Sequence, residues 1–164
     1  MHGTVNDLLQ LYGKNAKGIV WAHNTHIGDA KHTSMQNSGK VNIGQLTRED
    51  LGSENIFLVG FSTFEGNVMA GSFWGGPMQE MIIPPAISNS IEYKLNQIDR
   101  EQFYLIFDEK DRKKKNLKVT GHRAVGVVYN PRGDQRQFIP TIVPLRYDAL
   151  FFFKKTTALR VLKK

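Results

Sequence analysis

Five short stretches of this chain are apolar without alternating. They are residues 18–22, 55–61, 103–107, 123–129 and 149–153, the last holding the run Ala149-Leu150-Phe151-Phe152-Phe153. Runs of that length and character are expected of strands buried on both faces, as parallel sheets require. They fall far short of the roughly 18 residues that a membrane-spanning helix needs. Between them lie segments with helical spacing. In the first, Thr4 is a candidate cap, Val5, Leu8, Leu9 and Tyr12 recur at intervals of three and four, and Gly13 supplies a stop. A second helix is predicted over residues 43–51, ending at Gly52, and a third runs to Ile98 from a cap at Ser88, Asn89 or Ser90. Residues 23–41 and the Gly-rich stretches around Gly66 and Gly75 read as loops, and Asn130-Pro131-Arg132-Gly133 as a turn. Strands alternating with amphipathic helices predict an α/β fold with a mostly parallel sheet. The last two strands have no helix between them, so the C-terminal edge is open to antiparallel pairing.

A chain of 164 residues is sized for one domain, here residues 1–164. It has no cysteine, which excludes disulfides, thiolate nucleophiles and zinc fingers. No apolar stretch follows Met1 as in a signal peptide, so a cytoplasmic protein is expected. The net charge of +7 is concentrated. A loop at 110–118 carries +5 and a tail at 154–164 another +5, leaving −3 for the rest. Neither cluster interleaves aromatic residues as a single-strand nucleic-acid groove does, so each reads as solvated and a nucleic-acid partner is disfavoured.

The chemistry points to His23-Asn24-Thr25-His26, directly after the first predicted strand. Ligands of open α/β sheets bind beyond the carboxyl ends of strands. Two imidazoles placed there can act as bases, electrophiles or hydrogen-bond donors to an oxyanion. The second strand delivers Ser62, Thr63 and Glu65 at its own end, and Glu65 is a candidate partner for an imidazole. Arg123 enters an apolar strand, which suggests a bound anion or a buried carboxylate. Trp74 is either a pocket wall or a core aromatic. His2, His32 and His122 are expected at the surface. His-x-x-His without a third ligand argues against a metal, and no cofactor motif is present. Gly60-Phe61-Ser62-Thr63-Phe64 lacks the second glycine of a nucleophile elbow.

The block Val20-Trp21-Ala22-His23-Asn24-Thr25-His26-Ile27-Gly28-Asp29-Ala30 closely resembles the signature of the erythromycin esterase-like family. Further segments match in order: Asn42-Ile43-Gly44-Gln45-Leu46, Gly60-Phe61 through Glu65-Gly66-Asn67-Val68, Pro85-Ala86 with Ser90-Ile91-Glu92, residues 123–129, and Tyr147-Asp148-Ala149-Leu150. The resemblance implies a three-layer α/β/α hydrolase that cleaves a carboxylic ester by attack of water, with no serine intermediate. It implies catalytic roles for His23 and His26, and a cleft to which Asn24, Asp29, Glu65, Trp74 and Arg123 belong. It also implies incompleteness at the N-terminus. The chain resembles only the C-terminal half of such proteins, and the half bearing the general-base histidine has no counterpart here. The expected partners are a small-molecule ester and a missing half or second chain, and the expected activity alone is weak or nil. A non-catalytic small-molecule binding module is the alternative.

Overall fold

A computed structural model describes residues 1–160. Its helices are α1 (His2–Tyr12), α2 (Asn24–Ile27), α3 (Ile43–Leu51), α4 (Ile91–Leu95), α5 (Glu109–Arg112) and α6 (Val143–Arg146). Its strands are β1 (Val59–Ala70), β2 (Gln79–Ile83), β3 (Gln102–Ile106), β4 (Thr120–Arg123), β5 (Phe138–Thr141) and β6 (Ala149–Thr156). One sheet has the order β2-β1-β6-β3, and β4 and β5 form a separate two-stranded ribbon.

The result is a mixed α/β fold whose strands are mostly antiparallel. Only β1 and β6 run parallel, while β2 on β1, β3 on β6 and β5 on β4 are antiparallel. This corrects the expected mostly parallel sheet. The cause lies in β2 and β5. Neither reads as an apolar run, and each returns along its neighbour. β1 is longer than its apolar stretch because it gains β6 as a partner from Val59 and β2 from Gly66 onward. Gly66 is therefore a strand residue, not a turn. Its φ of 142° and the Thr156 backbone lying where a Cβ would sit explain the glycine.

The sheet has two unlike faces. On one, Leu150 and Phe152 pack with Leu95 of α4, Val143 of α6 and Tyr147 into the main core, with Ile27, Phe64, Phe103 and Leu105 around it. On the other, the register sets Phe61, Phe151 and Tyr104 side by side, and that face stays open. Helices thus cover one face of the sheet, not two. A smaller cluster joins Ala70, Met81, Ile83 and Tyr129.

Two predicted strands are not formed. Residues 18–22 form no strand, with Ile19 95% exposed and Trp21 86% exposed. A strand exists through its neighbours' hydrogen bonds, and no described strand lies alongside. Residues 124–129 divide their bonds instead. Ala124 N–H donates to the Gln137 carbonyl, then Gly71 N–H donates to Val127 O and Tyr129 N–H to Gly71 O. The chain thereby crosses from the ribbon to the end of β1.

The helix readings fare better. α3 begins at its Asn42 cap, whose Oδ1 accepts from Gln45 N–H, and stops at Gly52. Ser90 caps α4, which ends at Leu95 and not at Ile98. Thr4 lies inside α1, whose cap is Met1. The loop 23–41 contains α2 and two 3₁₀ turns. The basic loop 110–118 is partly helical: Asp108 caps α5, Lys113 and Lys114 pair with Glu109 and Asp111, and Arg112 pairs with Asp148. Lys154 and Lys155 of the predicted tail belong to β6, and residues 161–164 lie outside the described residues. No described helix is long and apolar enough to cross a membrane.

Candidate active site at the start of α2

His23 is the N-cap of α2. Its Nδ1 accepts from Thr25 N–H at 3.2 Å and lies 2.9 Å from the Thr25 hydroxyl. That assignment puts the ring proton on Nε2, which donates to the Val125 carbonyl at 2.8 Å. Loss of hydration where the ring packs lowers its pKa below the ordinary histidine value, outweighing the hydrogen bond to Val125. Charges at His26, Arg146 and His122 push the same way. His23 is therefore a neutral imidazole at neutral pH with both nitrogens engaged.

Asn24, the next residue, is bound to the sheet. Its amide donates to the Phe61 carbonyl at 2.6 Å, and its Oδ1 accepts from Phe61 N–H at 3.1 Å. The Asn24 carbonyl in turn accepts from the buried guanidinium of Arg146 at 3.1 Å. From the other side, the Asn42 amide donates to the carbonyls of Thr25 and Gly28 at 2.7 and 2.6 Å. The short helix carrying both histidines is thus pinned to β1, α3 and α6.

Behind Asn24 lies a pair that sequence reasoning missed. His122 of β4, expected at the surface, is wholly buried, as is Glu92 of α4. His122 Nδ1–H donates to Glu92 Oε1 at 2.7 Å. The same oxygen accepts from Arg123 N–H at 2.9 Å and from the Ser62 hydroxyl at 3.3 Å. Burial alone would raise the Glu92 pKa. The hydrogen bond and charge of His122, with the Arg123 amide, nevertheless hold it below the ordinary glutamate value. His122 Nε2 faces the Asn24 amide nitrogen at 3.5 Å. A signal was present: Thr120-Gly121-His122-Arg123 ends in two residues that rarely enter a core unless paired.

A hollow of about 370 Å³ opens beside His23, with Asn24, Phe61, Arg123, Val125 and Phe153 among its walls. Arg123 reaches it with both terminal nitrogens of its guanidinium already engaged. It pairs with Asp134 at 2.9 Å, donates to the carbonyls of Phe64 and Pro84 at 2.9 and 2.8 Å, and stacks on Phe138. The buried carboxylate expected for it is Asp134.

Other predicted site residues are placed elsewhere. His26 lies edge-on to His23 with ring centres 6.5 Å apart, but it lines a different hollow with Met1, His2, Met35, Asn42 and Leu46. Asp29 is buried in an ion-pair network, 3.2 Å from Arg48, which also pairs with Asp148 at 2.8 Å. It caps the following turn through Lys31 N–H and does not line the hollow. Glu65 lies along β1 opposite Lys155, and Trp74 is 83% exposed in the β1–β2 connection. Neither lines the hollow. Among the described residues no group of three His, Asp or Glu side chains is placed to hold a metal.

Comparison with known proteins places this arrangement. The family model described as erythromycin esterase matches residues 1–156. A crystal structure described as a succinoglycan biosynthesis protein is 26% identical with a TM-score of 0.62, covering 84% of this chain and 33% of that one. A protein from Bacillus cereus is 21% identical with a TM-score of 0.69, covering 88% of this chain and 35% of that one. A mutant of the erythromycin esterase EreC in its open conformation is 17% identical with a TM-score of 0.58, covering 92% of this chain and 35% of that one. The chain therefore spans about a third of the length of these solved structures. With the family model matching all but its last eight residues, this chain belongs to the erythromycin esterase family.

Proposed function

We propose that the chain is the histidine-bearing part of a hydrolase that cleaves carboxylic esters by attack of water. The observation that carries this reading is the neutral, donor-bearing imidazole of His23, held at the rim of an apolar hollow by a helix pinned to the sheet. A substrate carbonyl entering the hollow would take the Nε2–H from Val125. That hydrogen bond strengthens as negative charge develops on the carbonyl oxygen. Apolar walls at Phe61, Val125 and Phe153 suit the body of the ester. His26, whose ring centre lies 6.5 Å from that of His23 but which lines the neighbouring hollow, is assigned no contact with this carbonyl.

Among the described residues His23 is the only histidine or carboxylate side chain lining this hollow, so the base that deprotonates water is assigned to the rest of the family fold. The three-layer architecture and the cytoplasmic setting are part of the same proposal. A missing general base lowers rates by about 10²–10⁴-fold. Incomplete positioning forfeits up to ~7–11 kcal/mol of barrier reduction. The chain alone is thus expected to hydrolyse esters near background.

The test is hydrolysis of an aryl ester and a macrolactone by wild type, His23→Ala and His26→Ala. Robust turnover by wild type that collapses in both variants would show a complete enzyme and refute the division of labour. One observation favours a second reading, a non-catalytic binding module: both nitrogens of His23 are already hydrogen-bonded within the chain. Calorimetric binding of a macrolactone, unchanged by His23→Ala, would favour that module.

A further inference from the structure

One oxygen of the buried Glu92 carboxylate holds three groups, and each of them leads to the candidate site. Oε1 accepts from the Ser62 hydroxyl and from the Arg123 amide, and both of those residues line the hollow. It also accepts from His122, whose other ring nitrogen comes within 3.5 Å of the Asn24 side-chain amide. Asn24 lines the hollow too. Its side chain bonds both backbone groups of Phe61, as a neighbouring strand would, and so seats the start of α2 on β1. The reach of Glu92 is fixed by the fold. Ser90, the cap of α4, bridges Gly121 of β4, and Gly121 N–H donates to the Asn89 carbonyl at 3.2 Å. Packing alone does not call for a charge in this place. A buried ion pair carries a desolvation cost, and apolar side chains of similar volume often serve stability as well. Oε2 adds to that cost, being buried without a partner. What the carboxylate supplies, and a leucine does not, is three fixed directions that end in the wall of the hollow.

We propose that Glu92 is a positioning residue for the candidate site, holding Asn24 in its seat on β1 through His122 and thereby the adjoining His23 ring against Val125. Glu92 does not itself line the hollow; it acts through the residues that do. The proposal rests on the hydrolase reading only for what His23 does once it is placed.

The test is native-state amide hydrogen exchange, resolved by NMR, at Phe61, whose N–H donates to Asn24 Oδ1 at 3.1 Å. The Leu150 amide, in a strand flanked on both sides, is the reference, and the ratio of the two rates separates local opening at Asn24 from a general loss of stability. Glu92→Asp keeps the charge but withdraws it by one methylene. His122→Asn keeps a donor for Glu92 but no longer reaches Asn24, and it serves where Glu92→Asp does not fold. Each is expected to raise the Phe61 rate relative to Leu150 about tenfold, the worth of one hydrogen bond, and to remove the nuclear Overhauser contact between the His23 ring and Val125. Glu92→Gln keeps the reach of Oε1 without the charge and is expected to leave the ratio and the contact as in wild type. Leu95→Ala opens the core three residues along α4 without touching these hydrogen bonds, and it too is expected to leave both unchanged. An unchanged ratio in Glu92→Asp or His122→Asn overturns the proposal. An equal rise in Leu95→Ala does so as well, marking Glu92 as structural support only, and an equal rise in Glu92→Gln assigns the effect to charge and not to reach. Hydrolysis is not read in this experiment, so its failure is separate from failure of the hydrolase reading.

Discussion

Replacing Glu92 with leucine removes the acceptor at the centre of the buried cluster. Three donors lose their partner: His122 Nδ1–H, the Arg123 amide and the Ser62 hydroxyl. The last contact is long at 3.3 Å and contributes least. Breaking a buried, hydrogen-bonded charged pair destabilises by about 3–5 kcal/mol. For a domain of this size that corresponds to a fall in Tm of roughly 6–20 °C, at about 2–4 °C per kcal/mol. Glu92→Gln keeps an acceptor oxygen but puts an amide where Oε2 now lies buried without a partner, so it is expected to lose about 1–3 kcal/mol. The pH dependence follows from the lowered Glu92 pKa. The unfolded chain takes up this proton first, so the stabilisation is complete above the ordinary value of 4.5 and is lost as pH falls through the folded value. Urea unfolding followed by far-ultraviolet circular dichroism measures these changes. Trp21 and Trp74 are both too exposed to report on the core. A Glu92→Leu protein within about 0.5 kcal/mol of wild type, the range of an unremarkable surface change, would show that the buried pair does not hold α4 to β4.

Tyr147→Phe is expected to be neutral or to stabilise by up to about 1 kcal/mol, because the hydroxyl is buried without a hydrogen-bond partner; a large loss in urea unfolding would reveal a missing partner. Gly60→Ala places a Cβ 2.8 Å from the ring of the same tyrosine, and thermal melting is expected to show a loss of about 1–3 kcal/mol, as for other overpacked cores. The His23 ring should titrate below 6.5 by proton NMR. Its contribution to stability is present above that value and falls away as pH drops through the folded pKa; a midpoint above 6.5 would mean that the ring is solvated and its contact with Val125 is not made.

Much of the local structure was legible because it is written locally. Asn42 before Ile43 and Gly52 after Leu51 bound α3 by capping chemistry alone. The run at 149–153 gave β6, one of the two inner strands, because that strand is apolar in sequence whatever its neighbours are. Arg123 announced a buried carboxylate through its cost in an apolar strand, although nothing local named Asp134. The same logic failed at residues 18–22, where apolarity signals burial but cannot supply the neighbouring strand that turns burial into pairing. It failed too for β2 and β5, whose places come from β1 and β4 and not from a pattern of their own. At the candidate site, His23 and Asn24 were singled out from their position after a predicted strand that did not form. The pair behind them was not found, because Glu92 and His122 are 30 residues apart and meet only when α4 closes on β4. Asp29 and Arg48 form an ion pair within one network where the sequence suggested a substrate contact.

The sheet order has a consequence for timing. β6 is the last of the described strands, yet it sits between β1 and β3, and its parallel register joins Val59 to Ala149 across 90 residues. Closing a loop of that length carries an entropic penalty of about 4 kcal/mol before any pairing offsets it. A ribosome elongating at roughly 5–20 residues per second therefore releases β1 and β3 several seconds before the strand that unites them. During that interval Phe61 and Tyr104 are exposed on strands with no common neighbour. Synthesis of this chain thus has a vulnerable phase set by topology, and chaperone dependence should concentrate in the time between emergence of residue 59 and emergence of residue 149.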